Sequence, residues 1–224
     1  MPYRRTENVV RRLAARHDAI IGAAREVASE GGMAAVQIAP VAARAGIAAG
    51  TVYRYFPAKS DLVAALLAEI SEREIAALRR AADAAPGPLS ALAAAIVTFA
   101  TRALQSRRLA FAAIAEPVEV EADAARLGLR KALAAEFSAR IAAAIAVGRL
   151  PQQDAALAAA ALVGLLVEGL IGPLAPEASR RERDIVQSVT LAALRALGVA
   201  DARARGLIVQ TAVPPAGDGA EAAS

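Results

Sequence analysis

The chain has 224 residues, 57% of them apolar and 3% aromatic, with 26 Lys/Arg against 22 Asp/Glu and no cysteine. That length holds one medium domain or two small ones around a real core, and the lack of cysteine excludes disulfide scaffolds, thiolate metal sites and cysteine nucleophiles, as in a reducing cytoplasm. The charge is uneven: residues 1–60 carry nine Lys/Arg and four Asp/Glu, whereas residues 61–224 carry 17 and 18, a basic head suited to a polyanion on a near-neutral body.

Alanine, the best helix former, dominates, and no segment alternates apolar and polar residues cleanly, so the chain reads as all-α. Met1 to Arg12 carries arginines without the apolar run of a signal peptide and is expected to be a basic tail. Arg16 to Glu30 predicts a helix with Ile20, Ile21, Ala24, Val27 and Ala28 on one face, closed by Gly31-Gly32. A short helix follows from Ile38 to Ala45, with Pro40 in its first turn and Gly46 behind it. A second runs from Ala49 to Tyr55 and stops near Pro57. Lys59 opens a long helix to about Ala82, and Pro86-Gly87-Pro88 breaks the chain.

Beyond the break, helices are expected at Leu89 to Gln105, Leu109 to Ala115, Ala122 to Ala146, Asp154 to Leu170 and Glu177 to Leu197. The apolar run Ala155 to Val167 lies between Asp154 and Glu168 and is too short for a bilayer core of roughly 30 Å, so no membrane partner is expected. Residues 201–224, ending in PPAGDGAEAAS, read as a largely disordered tail.

The stretch RAGIAAGTVYRYFPAKSDL concentrates tyrosines in a chain that has only three. Two short helices joined by a glycine turn form a helix-turn-helix pattern. Val41, Ala42, Ile47, Val52 and Phe56 supply its inward face, which leaves Ala49, Gly50, Thr51, Tyr53 and Arg54 outward on the second helix. A recognition helix sets such residues in the major groove. Small Ala49 and Gly50 permit close approach, Thr51 touches a base or a methyl, and Arg54 suits a bidentate contact to guanine. Tyr53 and Tyr55 reach phosphate or base edges, and Lys59 at the next helix start suits phosphate. The competing reading places Tyr53, Tyr55 and Phe56 all in the core.

VAARAGIAAGTVYRYFPAKSDLV resembles the helix-turn-helix of TetR-family transcriptional regulators. Val41-Ala42, Ala45-Gly46-Ile47, Gly50-Thr51-Val52-Tyr53, Tyr55-Phe56 and Lys59 carry the resemblance, which is close over about residues 15 to 65. The family's usual serine and lysine are here Ala48 and Ala49, which removes a capping hydroxyl worth about 1 kcal/mol and a potential DNA contact. Its usual threonine at the start of the second helix is here Gln37, which donates to phosphate but caps poorly; Arg44 and the N-terminal arginines are the residues that could compensate.

The resemblance implies a three-helix DNA-binding domain over residues 1–58 and a helical effector-binding and dimerisation domain over 59–200. It implies a homodimer on a pseudo-palindromic double-stranded operator, released by a small hydrophobic or amphipathic effector. Pocket candidates are Leu66, Ile70, Phe99, Arg102, Phe111, Ile114, Phe137, Ile141, Leu165 and Glu168. Dimer candidates are Leu162, Leu166, Ile185, Val189, Ala192, Ala193 and Ala196 on the last two large helices. No catalytic residue, metal ligand or cofactor is expected: His17 is the one histidine, and neither HExxH nor GK[ST] occurs. The alternative function is a DNA-binding protein without an effector, constitutive or architectural.

Overall fold

In the computed structural model, residues 3–118, 120–175 and 181–211 are described, and among them every element is helical. The helices are α1 (Tyr3–Gly31), α2 (Ile38–Arg44), α3 (Ala49–Tyr55), α4 (Lys59–Asp83), α5 (Pro88–Gln105), α6 (Arg107–Ile114), α7 (Val120–Ala146), α8 (Ala155–Leu174), α9 (Glu182–Ala196) and α10 (Asp201–Gln210), with a short 3-10 turn at Met33–Ala35. Two compact units divide them. The first comprises residues 1–71 and 108–129, the second residues 72–107 and 130–224.

The first unit is built on the apolar stripe of α1. Ile20, Ala24 and Ala28 are fully buried and pack with Val36, Val41, Val52, Phe56 and, from α4, Leu62, Val63, Leu66 and Leu67. Ala112, Ala113 and Ala122 from α6 and α7 join the same core. Residues of this kind, buried at 3.6-residue spacing, hold short helices that would be marginal alone.

The second unit buries one face of α5 almost completely, including Leu92, Ala93, Ile96, Ala100 and Leu104. Phe137 and Ile141 of α7, Leu166 and Leu170 of α8 and Ala193 and Leu194 of α9 are buried there too. Glu136 is 9% exposed and satisfied by two arginines, with Arg79 Nε at 2.8 Å and Arg140 Nη2 at 2.6 Å. A buried carboxylate needs such partners to stay ionised.

Several expected boundaries move. α1 begins at Tyr3 instead of Arg16. Residues 8–19 are exposed, so no apolar period marks this extension; good helix formers and local bonds such as Arg11 to Asn8 at 2.7 Å support it. The segment from Asp201 folds as α10, burying Ala204 and Leu207, which corrects the expectation of a largely disordered tail from that residue; residues 212–224 lie outside the described residues, as do 177–180 of the helix expected from Glu177. α8 also continues past Leu170 to Leu174.

That extension corrects the bilayer argument. At 20 residues, with an 18-residue stretch at mean hydropathy 2.1, α8 is long and apolar enough to cross a membrane by length and composition, as is α5. Both helices nevertheless pack on α9 within the second unit.

Candidate nucleic-acid interface

The helix-turn-helix forms where its sequence pattern places it. α2 ends in a glycine turn: Gly46 takes φ 64°, its N–H reaches the Ala43 carbonyl at 3.2 Å, and the Ile47 N–H reaches the Ala42 carbonyl at 3.0 Å. These two crossed bonds are a Schellman cap, and the left-handed residue it requires is glycine at least strain. Ile47 then packs back against the head's core beside Ala45. The chain re-enters a helix at Ala49 with Ala48 at the N-cap, and no side chain caps it. Gln37 stands at the N-cap of α2 without capping it, and its amide donates instead to the Ala34 carbonyl at 3.1 Å. Both departures from good capping residues leave backbone N–H groups open at the helix starts.

α3 has two faces. Val52 is fully buried, and Phe56 just beyond the helix is 4% exposed. Ala49, Gly50, Tyr53 and Arg54 are exposed, and Thr51 and Tyr55 half-buried. The tyrosines therefore part company: Tyr53 stands 53% exposed, whereas Tyr55 leans on the core formed by α1, α2 and α4. Phe56 fills that core, with the His17 ring 5.3 Å away and tilted by 39°. The sole histidine is thus a packing partner of the head.

The charged candidates differ in their freedom. Arg54 forms no ion pair or side-chain hydrogen bond among the described residues, and its guanidinium is exposed beside Tyr53. Arg44 is committed elsewhere. Its Nη1 and Nη2 reach the two Glu30 oxygens at 2.9 and 2.6 Å, and Nη1 also reaches Glu26 at 3.1 Å. The hydrogen bonds that Arg44 donates to Glu30 and then to Glu26 raise its pKa above the ordinary value. The Arg44 bond in turn holds the Glu30 carboxyl below the usual carboxylate range. Lys59 sits half-buried at the start of α4. Two residues on, Asp61 accepts the Ala58 N–H at 3.0 Å. That acid caps the helix and complements its N-terminal dipole, so it competes there with any phosphate; its place three residues after the cap was the readable signal.

Arg12 and Arg16, one turn apart on α1, border a shallow depression of about 260 Å³ with Ala15, Ala19, Ala45 and Ile47. Neither has an ion-pair partner among the described residues, so a cationic pair flanks the helix-turn-helix turn. The i, i+4 spacing is visible in the sequence; what hid it was the reading of this segment as a tail. Arg4 and Arg5 belong to α1, and their side chains lie outside the described residues.

The pocket candidates are divided between the two units. Leu66 and Ile70 belong to the core of the first unit, and Phe111 and Ile114 lie half-buried on α6. Phe99, Phe137 and Ile141 are buried in the second unit. Arg102, also there, forms a fork with Glu74 at 2.9 and 2.8 Å. Glu168 is no buried carboxylate: its side chain is 67% exposed and faces Arg130 at 4.0 Å. Leu165 joins Leu162, Ala193 and Ala196 along an open apolar groove of about 360 Å³ between α8 and α9, bordered by Leu157 and Ala161. Ala192 is exposed and Val189 half-buried, whereas Leu166 and Ile185 face the unit's own core.

With this geometry in view, residues 20–66 match the model of the family described as bacterial regulatory proteins, tetR family. The chain carries a tetR-family helix-turn-helix domain. Over 77 residues it is 44% identical to the HTH-type transcriptional repressor KstR of Mycolicibacterium smegmatis, a match covering 34% of this chain and 38% of that protein. The chain thus matches less than half the length of that relative. Among solved structures, RolR in complex with resorcinol has a TM-score of 0.70 at 24% identity, covering 92% of this chain and 100% of that one. The regulator FadR from Bacillus subtilis in complex with stearoyl-CoA has a TM-score of 0.70 at 21% identity, covering 82% and 99%. At these identities the likeness is one of fold. The tetR-family domain therefore includes α2, α3 and the start of α4, and the fold likeness extends over most of the chain.

Proposed function

We propose that the chain is a ligand-responsive, DNA-binding transcriptional repressor that acts as a homodimer in the bacterial cytoplasm. The observation that carries this reading is the outward face of α3, where Ala49, Gly50, Tyr53 and unpaired Arg54 are presented by a buried Val52 and Phe56. Ala49 and Gly50 let the backbone approach a groove, and Arg54 reads guanine. Gln37, Thr51, Tyr55 and Lys59 add further contacts to DNA on this reading, and Arg12 and Arg16 add phosphate contacts. Arg44 acts at one remove, by holding α2 on α1. On this reading residues 1–58 contact DNA and 59–200 hold effector and partner.

Support for the dimer comes from the apolar groove along α8 and α9, where Leu157 is 69% exposed. A second copy seated there would give the assembly two recognition helices, one for each half-site of a pseudo-palindrome. RolR is solved with resorcinol and FadR with stearoyl-CoA, so a small organic effector is the class the fold relatives support. Within the second unit, the buried Thr101 and Thr190 hydroxyls lack a hydrogen-bond partner among the described residues. The effector releases DNA only if it binds the two dimer shapes with different affinity.

The test is selection of genomic fragments by the purified protein beside a Tyr53→Ala/Arg54→Ala variant. Enrichment of a short palindrome by the unmodified protein alone is expected. Equal enrichment by both, or none by either, removes the recognition role from α3. A protein that binds its palindrome but is released by no small molecule is the constitutive alternative.

A further inference from the structure

The turn between α1 and α2 is gripped from outside by two charged side chains. Gly32 is buried at φ 75°, and a Cβ on it would run into the Arg108 guanidinium and lie 2.6 Å from Glu116 Oε1. Arg108 Nη2 donates to the Gly31 carbonyl at 2.9 Å. Glu116 Oε2 accepts the Met33 N–H at 2.6 Å. Arg108 and Glu116 also pair directly with each other. Behind them Arg126 of α7 donates to the carbonyls of Ala113, at 3.0 Å, and of Glu116, which fixes the end of α6. All of these residues lie in the first unit.

We infer that Arg108 and Glu116 are positioning residues for operator recognition: they set the direction in which the chain leaves α1 and thereby aim α2 and α3. The inference rests on the DNA-binding reading above. Its physical basis is that Gly31-Gly32 is a glycine joint between the α1 scaffold and the helices that follow it, with Gly32 at positive φ. Two charge-assisted bonds to backbone atoms restrict that joint, and each is stronger than a neutral one. Reading two half-sites at fixed spacing needs a fixed head, so a loosened joint must be ordered again on DNA at a cost in affinity. A non-specific duplex makes no such demand. Because Arg108 lies in the first turn of α6 and Glu116 just beyond its end, any shift of α6 relaxes the grip and weakens the operator complex.

The experiment uses the full chain with Arg108→Ala, Glu116→Ala and Glu116→Gln, and Arg79→Ala as a control in the other unit. Each is measured at a temperature where circular dichroism finds it fully folded. The probes are the palindrome enriched by the unmodified protein and a random duplex of equal length. Both alanine variants should lose about tenfold on the palindrome, the loss expected from one charged hydrogen bond, and little on the random duplex. Glu116→Gln, whose amide oxygen still accepts from Met33, should recover most of that loss. Hydrogen exchange at Met33 and along α2 and α3 should quicken in the alanine variants alone. Unchanged palindrome affinity despite quickened exchange overturns the positioning role and leaves the DNA-binding reading intact. Equal losses on both duplexes overturn it in favour of a general folding role. If the unmodified protein prefers no sequence, the DNA-binding reading itself fails and the inference with it.

Discussion

Arg44 is fastened to Glu30 by two parallel hydrogen bonds of 2.9 and 2.6 Å, and this pair ties the end of α2 to the last turns of α1. A guanidinium held by a carboxylate fork is positioned by the fold and is slow to leave it for a phosphate. Arg54, on the neighbouring helix, has no such commitment among the described residues. The two arginines should therefore separate in a binding assay. Arg54→Ala is expected to lose about 1–3 kcal/mol on the specific site and much less on random DNA. Arg44→Ala, which loosens α2 on α1, should lose less on the specific site, spare random DNA as well, and lower the stability of the head, which Arg54→Ala leaves unchanged. Fluorescence anisotropy on the two duplexes decides it; matching profiles for the two variants would reject the division of labour.

The tyrosine cluster predicts a split between folding and recognition. Phe56 is 4% exposed against His17 and the α1 stripe. Phe56→Ala opens a cavity in a small core and should cost about 3–5 kcal/mol, enough to unfold the head. Tyr53 is 53% exposed, and Tyr53→Ala should stay within about 0.5 kcal/mol of the parent. Denaturant titration gives the stabilities and operator binding the function. A Tyr53→Ala variant that is strongly destabilised would return that ring to the core.

How much of this was legible depends on what marks each element. Gly46, Pro57 and the Val41, Val52 and Phe56 pattern delimit α2, α3 and the start of α4 almost to the residue, because burial and backbone geometry both leave a trace in residue type. The first part of α1 and all of α10 leave little: residues 8–19 are exposed, and α10 buries only Ala204 and Leu207. Solvated helices rest on propensity and local pairs, which carry no period. The grip on Gly31-Gly32 was hidden for another reason. Arg108 and Met33's acceptor Glu116 lie 77 and 83 residues from the atoms they bind, and a single sequence holds no record of such distant pairing. The same applies to Arg44, whose partners Glu26 and Glu30 turned an outward arginine into a structural one.

Acid should loosen the protein through its paired carboxylates. Glu136 is desolvated by burial, which opposes its ionisation, yet the bonds from Arg79 and Arg140 prevail and hold its pKa below the ordinary value of 4.5. Glu30 and Asp201 are likewise lowered, chiefly by side-chain bonds from Arg44 and from Arg205 respectively. A carboxyl whose folded pKa is depressed binds fewer protons when folded than when unfolded. Its stabilisation is therefore present above the unfolded value and lost as pH falls through the folded one. Thermal melts should hold a plateau at neutral pH and decline below about pH 4.5, with Glu136→Gln flattening part of that decline. A decline unchanged by Glu136→Gln would place the acid sensitivity in the other pairs.

The α8–α9 groove makes the last prediction. Leu157 is 69% exposed beside Ala161, Leu165 and Ala196, and α8 holds an 18-residue stretch at mean hydropathy 2.1, above the 1.2 of α5. An apolar strip of this length is seldom left to water. If a second copy covers it, burying a carboxylate there is costly because the groove's lining holds no cation to pair with it. Leu157→Glu/Ala161→Glu should then run as a folded monomer in sedimentation, with its circular dichroism unchanged. Specific binding should fall steeply, since one head reads one half-site, while binding to random DNA persists. Two outcomes sink the assignment: a variant that remains dimeric, and a parent protein that is itself monomeric at micromolar concentration. Vesicle flotation of the parent protein provides the matching control, because partition into neutral lipid would assign the strip to a membrane surface.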